Sequence, residues 1–423
     1  MNCAPCVVCR RAFVRRFFTF ALVVSIAATT VYAGSPTTEL APPSCTGSLS
    51  QEQGVNVLRL WGTPREQGHA HGKLFGRQIS AMLRLILDGD LLFNNPQKYE
   101  VGVRKQLLPS FELTDAERAE IAGMLAGMRE AVGDEGLMLE RLGRPIDETD
   151  LIALNTLADW IPGGCSSFAA WGAMTPDGGT VMGRNLDYLD LPGLRELHVV
   201  IARKANLEDA SSWVSVAWPG LIGAYSAMNE HGVVVAMHDV YAASSMSQVR
   251  RRPRSLVLRQ IVETTDAANA IQVAERILMA SPGTRGNNFM VATKASKDAQ
   301  AAVVFEYDGN MDMSKGVTVR QAVTNTEGKP ETFIACTNHY RDRANADDSC
   351  PRYRGIMEKL NASGMTIDSD KAWTIMKGAS MNDTIHSMVA FPNTGILELR
   401  FATPEENASK QPLKRFAVAK LLE

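Results

Sequence analysis

The chain has 423 residues, of which 45% are hydrophobic and 21% charged, with a formal net charge of -2. That composition excludes a disordered chain and provides ample material for a sizeable core. The near-neutral balance offers no electrostatic footprint for nucleic acid. Arg10, Arg11, Arg15 and Arg16 precede an apolar run from Phe17 to Ala33 that ends in Val31-Tyr32-Ala33. A basic start, an apolar stretch and a small-x-small ending predict a signal peptide over residues 1–33, cleaved after Ala33. An uncleaved anchor is the competing reading, because the run is about as long as a short membrane span. Arg10-Arg11 loosely resembles a twin-arginine signal. The expected destination is periplasmic or extracellular, with no membrane span once the leader is gone.

Cys3, Cys6 and Cys9 leave with the leader, and Cys45, Cys165, Cys336 and Cys350 remain. An exported chain can pair two of these; Cys336 with Cys350 is the expected pair, with Cys165 left reduced.

Residues 34 to about 53 read as a polar linker, followed by an alternating strand at 55–60. A loop running into a helix is expected over 63–87. It contains His69 and His71, read as a polar helix start near the substrate entrance rather than a metal pair, since no third ligand follows. Thr114-Asp115-Ala116-Glu117 is a capping box that opens a helix carrying Ile121, Leu125, Met128 and Val132 on one face. A further helix spans about 148–160 and ends at Pro162-Gly163-Gly164. Residues 34–164 thus form a mostly helical segment, and the strand-rich segment 165–423 starts at Cys165.

From Cys165 a strand leaves, reverses at Thr175-Pro176-Asp177-Gly178-Gly179 and returns through Arg184 to Asp187. Proline presets φ and glycine accepts positive φ, which makes this a hairpin turn. Short strands are expected at 198–202, 213–218 and 232–237, and a basic loop at 250–254 that reads as a solvated face, with an anion-binding lip as the lesser reading. Helices follow at 255–263 and 266–279, a hairpin at 288–292 and 301–307, and a strand at 333–337. A helix at 352–360, a late strand at 394–401 and a closing helix at 413–422 complete the pattern. Strands in runs with helices in pairs indicate an α+β protein with helices covering mostly antiparallel sheets. No P-loop, dinucleotide fingerprint or internal repeat occurs, and neither cofactor nor metal is expected.

The hairpin gathers a thiol, a guanidinium and a carboxylate at one end. A thiol is only a few per cent ionised near neutral pH and needs a base. No histidine lies in a local cysteine-protease signature around Cys165. The cysteine's own α-amine, with a reference pKa of about 7.7–8.0, suits the task. It is free only if the Gly164–Cys165 bond is cut. Taken singly, a cysteine after Gly-Gly is most often an inert apolar residue, Arg184 and Asp187 an ion pair, and Asn338 a turn former.

Together and in order, Gly164-Cys165-Ser166-Ser167-Phe168, Gly183-Arg184-Asn185-Leu186-Asp187-Tyr188, Asn229-Glu230-His231-Gly232, Thr337-Asn338-His339-Tyr340 and Ser349-Cys350-Pro351-Arg352 say more. They resemble the cysteine N-terminal-nucleophile (Ntn) hydrolases, above all the acyl-coenzyme A:6-aminopenicillanic acid acyltransferase family. The resemblance spans roughly residues 55 to 405. It implies a four-layer αββα sandwich and autocatalytic cleavage between Gly164 and Cys165. It further implies hydrolysis or transfer at a linear amide of a small N-acyl substrate, by two fragments that stay associated. Cys165 would be the nucleophile and Asp187 would orient its amine. Arg184 would favour thiolate, Asn338 would donate to the oxyanion and Arg352 would brace the site. A second oxyanion contributor falls at His238 or Asp239, where many relatives carry Asn. A lipid or ester hydrolase of phospholipase B type and an uncleaved, non-catalytic binding protein remain as alternatives, and homo-oligomerisation stays open.

Overall fold

Strand β1 (Gly47–Glu52) pairs antiparallel with β2 (Val55–Leu60), so the polar stretch read as linker ends as an edge strand. The computed structural model describes residues 46–88, 95–161, 163–188, 193–244, 251–281, 283–296, 300–308, 316–322, 332–343, 349–362 and 366–423. The leader, Cys45 and Arg250 lie outside them.

Helix α1 (Pro64–Leu83) starts with a capping box between Thr63 and Glu66, and α2 (Asp115–Val132) with one between Thr114 and Glu117. The two pack backbone to backbone. A Cβ on Gly68 would stand 1.9 Å from the Glu120 carbonyl oxygen, and one on Gly127 would stand 2.1 Å from that of His69. Only glycine permits that approach. The Gly-His-Ala-His-Gly stretch is therefore a helix-packing surface. Its histidines have protein partners: His71 Nε2 accepts the Gly220 N–H at 2.9 Å and His69 pairs with Glu130 at 3.0 Å.

Short strands β3 (Met138–Leu139) and β4 (Arg144–Pro145) make a separate ribbon. The expected helix over 148–160 divides at Thr156 into α3 (Glu148–Asn155) and α4 (Leu157–Trp160). The hairpin follows as β5 (Gly164–Gly172) and β6 (Gly178–Asp187), which pair in antiparallel register. Then come β7 (Val199–Arg203), β8 (Trp213–Ala217), β9 (Ser226–Asn229) and β10 (Val234–Ser244). Helices α5 (Arg254–Thr264) and α6 (Ala270–Ala280) lead to β11 (Arg285–Ala292), β12 (Ala302–Tyr307), β13 (Val317–Arg320) and β14 (Phe333–Cys336). The chain ends with α7 (Pro351–Leu360), α8 (Ser369–Gly378), β15 (Thr384–Phe391), β16 (Ile396–Phe401), β17 (Lys414–Ala417) and α9 (Val418–Leu421). The closing helix expected over 413–422 is therefore mostly strand. Lys414 to Ala417 pair with β16 at the sheet edge, and that pairing overrides their helical spacing.

Among the described residues the strands form a nine-stranded sheet, ordered β1-β2-β7-β8-β9-β10-β11-β12-β13, and a six-stranded sheet, ordered β14-β5-β6-β15-β16-β17. Every pairing except β2 with β7 is antiparallel. The two sheets face each other across Val57, Val200, Val214, Ala236 and Met290 on one side and Ala169, Met182, Ile334 and Met388 on the other. Helices α1, α2, α3, α5 and α6 cover the outer face of the larger sheet, and α7 and α8 cover that of the smaller one. This is the four-layer αββα sandwich expected above.

Alternation along β5 and β6 decides what the site contains. Phe168 and Ala170 point to α7 and α8, whereas Ala169 and Trp171 point between the sheets. Cys165 and Ser167 share the inner face with Arg184. Asp187 lies on the outer face, toward α7.

Candidate active site

Cys165 is the second residue of β5, beside the last residues of β6; it pairs with Leu186, while Gly164 pairs with Asp187. The thiol is buried, and burial pushes it up to about 11, countered by the positive charge of Arg184 and reinforced by Asp239 and Asp187. In the uncleaved chain it is therefore protonated at neutral pH.

Two side chains converge on the Cys165 backbone. Asn338 Oδ1 accepts the Cys165 N–H at 2.9 Å. Arg352 Nη1 donates to the Cys165 carbonyl at 2.8 Å and to Asp187 Oδ2 at 2.8 Å, while its Nη2 donates to Asn338 Oδ1 at 2.8 Å. Thr384 donates to the other Asp187 oxygen at 2.5 Å. Burial raises the Asp187 pKa, and Arg352 and Thr384 work against that rise. The structure thus brings Cys165, Asp187, Asn338 and Arg352 into one network, with Arg184 facing the thiol side of the cysteine.

The two expected secondary oxyanion positions use their side chains elsewhere. His238 Nδ1 donates to the Asn288 carbonyl at 3.0 Å, so Nε2 is the acceptor for the Ser167 hydroxyl at 2.6 Å. Asp239 accepts the Gly163 N–H at 2.6 Å and Arg254 Nη1 at 2.5 Å. A carboxylate offers no donor, so neither side chain contributes an N–H toward Cys165.

Arg254 itself corrects the solvated basic loop. It is fully buried and paired with Asp159 and Asp239, while Arg252 holds Glu117 at 2.7 Å. These carboxylates come from distant parts of the chain, and they draw the arginines inward. The Cys336–Cys350 pair is likewise not formed: both are free thiols. Cys336 points between the sheets, whereas Cys350 caps α7 on the outer side, so a bond would have to cross the sheet.

Two features had no sequence signal. Asn288 donates to the carbonyls of Thr337 at 3.0 Å and His339 at 2.9 Å, clamping both neighbours of Asn338. An apolar cavity of about 10 Å³ lies beside Leu186, the strand partner of Cys165, and is lined by Met82, Ile86, Tyr188, Trp218 and Tyr225 among others.

Facing antiparallel sheets between helix layers, with a buried cysteine near the start of a central strand, define an Ntn-hydrolase fold. The profile of the acyl-coenzyme A:6-aminopenicillanic acid acyl-transferase family matches residues 174–406, more than half of the chain, and the chain belongs to that family. The match begins after Cys165 and takes in Arg184, Asp187, Asn338 and Arg352. The chain is 23% identical over 382 residues to an uncharacterized protein of Archaeoglobus fulgidus, covering 81% of this chain and 59% of that protein's length. Among solved structures it is similar to the Caenorhabditis elegans ortholog of N-acylethanolamine-hydrolyzing acid amidase, with 15% identity and a TM-score of 0.42 over 60% of this chain and 99% of that one. It is also similar to conjugated bile acid hydrolase from Clostridium perfringens, with 13% identity and a TM-score of 0.38 over 59% of this chain and 96% of that one.

Proposed function

We propose that the chain cuts its own Gly164–Cys165 bond and then acts, through Cys165, on the linear amide of an N-acyl substrate. The observation that carries this reading is the set of bonds around one residue: Asn338 holds the Cys165 nitrogen and Arg352 holds its carbonyl and Asp187. The Cys165 backbone is thus held on both sides by polar side chains, one of them buried Asn338.

In self-cleavage the Cys165 sulfur adds to the Gly164 carbonyl carbon and the thiol proton leaves. The C–N bond then breaks and the nitrogen takes a proton, giving a thioester and a free α-amine. Water hydrolyses the thioester and releases the upstream fragment. In turnover that amine takes the thiol proton as sulfur attacks the substrate carbonyl, and returns it to the leaving amine. Asp187, through Arg352, fixes the geometry around the amine. Arg184 offsets the burial of the sulfur. Water or a second amine then releases the acyl group. The apolar cavity beside Leu186 favours an apolar acyl group, which would enter as its lining side chains shift, since about 10 Å³ is roughly the room of one water.

Strand pairing of β2 with β7 and the shared core of α1, α2 and the larger sheet support fragments that stay together after the cut. The basic, apolar N-terminus supports export; no helix among the described residues is long and apolar enough to cross a membrane. Intact-mass measurement of the purified protein tests the reading. Two associated fragments, the larger beginning at Cys165, are expected, with a single chain for Cys165→Ala. A Cys165→Ala protein that is still cut after Gly164 overturns self-cleavage.

A further inference from the structure

Arg184 is fully buried and has no carboxylate partner among the described residues, and neither terminal nitrogen reaches a hydrogen-bond acceptor there. A buried cation needs hydrogen bonds to hold it. Its one anchor is Nε, which donates to the Ser226 hydroxyl across the space between the sheets. Ser226 Oγ lies 3.0 Å from His386 Nε2.

Arginine can only donate, so the Ser226 oxygen accepts from Arg184. His386 Nε2 is the one acceptor within reach of the Ser226 hydrogen among the described residues, and in that arrangement the ring is neutral with its proton on Nδ1, which has no hydrogen-bond partner there. Burial first, and then the facing titratable groups His198 and Arg184, keep its pKa well below the usual value. The ring is held by His198, edge-on at 5.6 Å, and Trp218 at 6.0 Å between centroids. A protonated His386 would set a second cation beside Arg184 and leave the serine hydrogen without an acceptor.

We propose that Ser226 and His386 are positioning residues that aim the Arg184 guanidinium at the Cys165 sulfur and so set the acidity of the thiol. The relay takes one residue from β9 of the larger sheet and one from β15 of the smaller, so it also registers the two sheets at the nucleophile. The inference rests on the reading of Cys165 as nucleophile, but its test does not need turnover.

The test is the pH dependence of Cys165 alkylation by iodoacetamide in the purified full chain, followed by mass on the peptide that contains Cys165, so that Cys336 and Cys350 do not interfere. Ser226→Ala and His386→Leu are expected to raise the alkylation midpoint by about one pH unit or more, the shift that loss of a nearby opposite charge produces. Ser226→Thr keeps the hydroxyl and His386→Gln keeps an acceptor, so both are expected to stay near wild type. A Ser226→Ala midpoint equal to wild type overturns the proposal, and so does Ser226→Thr shifting as far as Ser226→Ala. Should Ser226→Ala fail to fold, the His386→Leu and His386→Gln pair decides by the same comparison. The nucleophile reading fails separately: a Cys165→Ala chain that still turns over an N-acyl substrate removes it and leaves the alkylation result standing.

Discussion

Asn338 accepts the Cys165 N–H through its side-chain oxygen, and the same amide turns its nitrogen to the Asp239 carbonyl at 2.7 Å and the Gly163 carbonyl at 3.4 Å. Two donors on the oxygen side, Cys165 N and Arg352, and two carbonyls on the nitrogen side leave one orientation for the amide. Of the two carbonyls, that of Gly163 lies upstream of the proposed cut and that of Asp239 downstream. On the proposed reading, displacement of Gly163 after the cut frees one Nδ2 proton beside Cys165.

That freed proton gives the first prediction. A positioned amide donor is worth about 2.7–4 kcal/mol of barrier to an oxyanion intermediate. Asn338→Ala, assayed as the processed form made by starting the second fragment at Cys165, should lower kcat by roughly two to three orders of magnitude, with KM within a few fold. Asn338→Asp should be worse, since a carboxylate repels the developing charge. Turnover within tenfold of wild type in Asn338→Ala would remove the oxyanion role.

Asp187 gives the second. Each of its oxygens already accepts from a donor, Thr384 on one and Arg352 on the other. An asparagine has one acceptor oxygen and would turn an N–H against one of those donors. Asp187→Asn should therefore cost kcat about a hundredfold or more, the scale of a lost preorganised electrostatic contact. His231→Ala, at an exposed turn, should cost less than about tenfold if the α-amine rather than a histidine moves the proton. Steady-state rates of the two variants on one N-acyl substrate are the measurement. The opposite ranking would favour a cysteine–histidine mechanism.

Legibility followed locality. The Cys165 to Asp187 hairpin could be read because its turn chemistry and both its strands are contiguous. β15 could not: seven of its eight residues are buried, so neither face leaves an alternation to detect. Asn338, Arg352 and Asp187 were visible through motif order, whereas Asn288, Ser226 and His386 act through bonds that join strands far apart in sequence. Arg254 looked like part of a solvated run because Asp159 and Asp239, which bury it, have no sequence neighbourhood in common with it. The His69 and His71 stretch shows the reverse case, a pattern suggestive of chemistry whose glycines serve helix packing.

Stability should hinge on one buried acid. Glu120 on α2 holds Arg203 of β7 at 2.5 Å and Arg259 of α5 at 2.6 Å. Burial alone would raise its pKa, but the two guanidinium groups hold the carboxyl below its usual range. Glu120→Ala leaves two buried cations facing each other, and breaking such a set costs about 3–5 kcal/mol. Urea unfolding should show a loss of that size. A loss below about 1 kcal/mol would mean that water reaches and solvates the arginines.

Acid sensitivity is the last prediction, and its sign follows from His198. The ring is buried against Trp218 at 4.7 Å and Phe401 at 5.0 Å between centroids, with Nδ1 donating to the Arg195 carbonyl at 3.0 Å. Burial lowers its pKa from 6.5 to about 4. Below pH 6.5 the unfolded chain binds a proton at this residue and the folded chain does not, so stability is complete above 6.5 and falls with pH until about 4. At about 1.4 kcal/mol per pH unit, the loss from this one residue is about 3 kcal/mol across the window. His198→Phe keeps the aromatic packing and removes the titration. The variant should be less stable than wild type at pH 8, where the bond to Arg195 is missed. Its unfolding free energy should then fall less steeply between pH 6.5 and 4, and the two curves should converge toward the acid end. Parallel curves would mean that His198 is already protonated in the folded protein or titrates there as freely as in the unfolded chain.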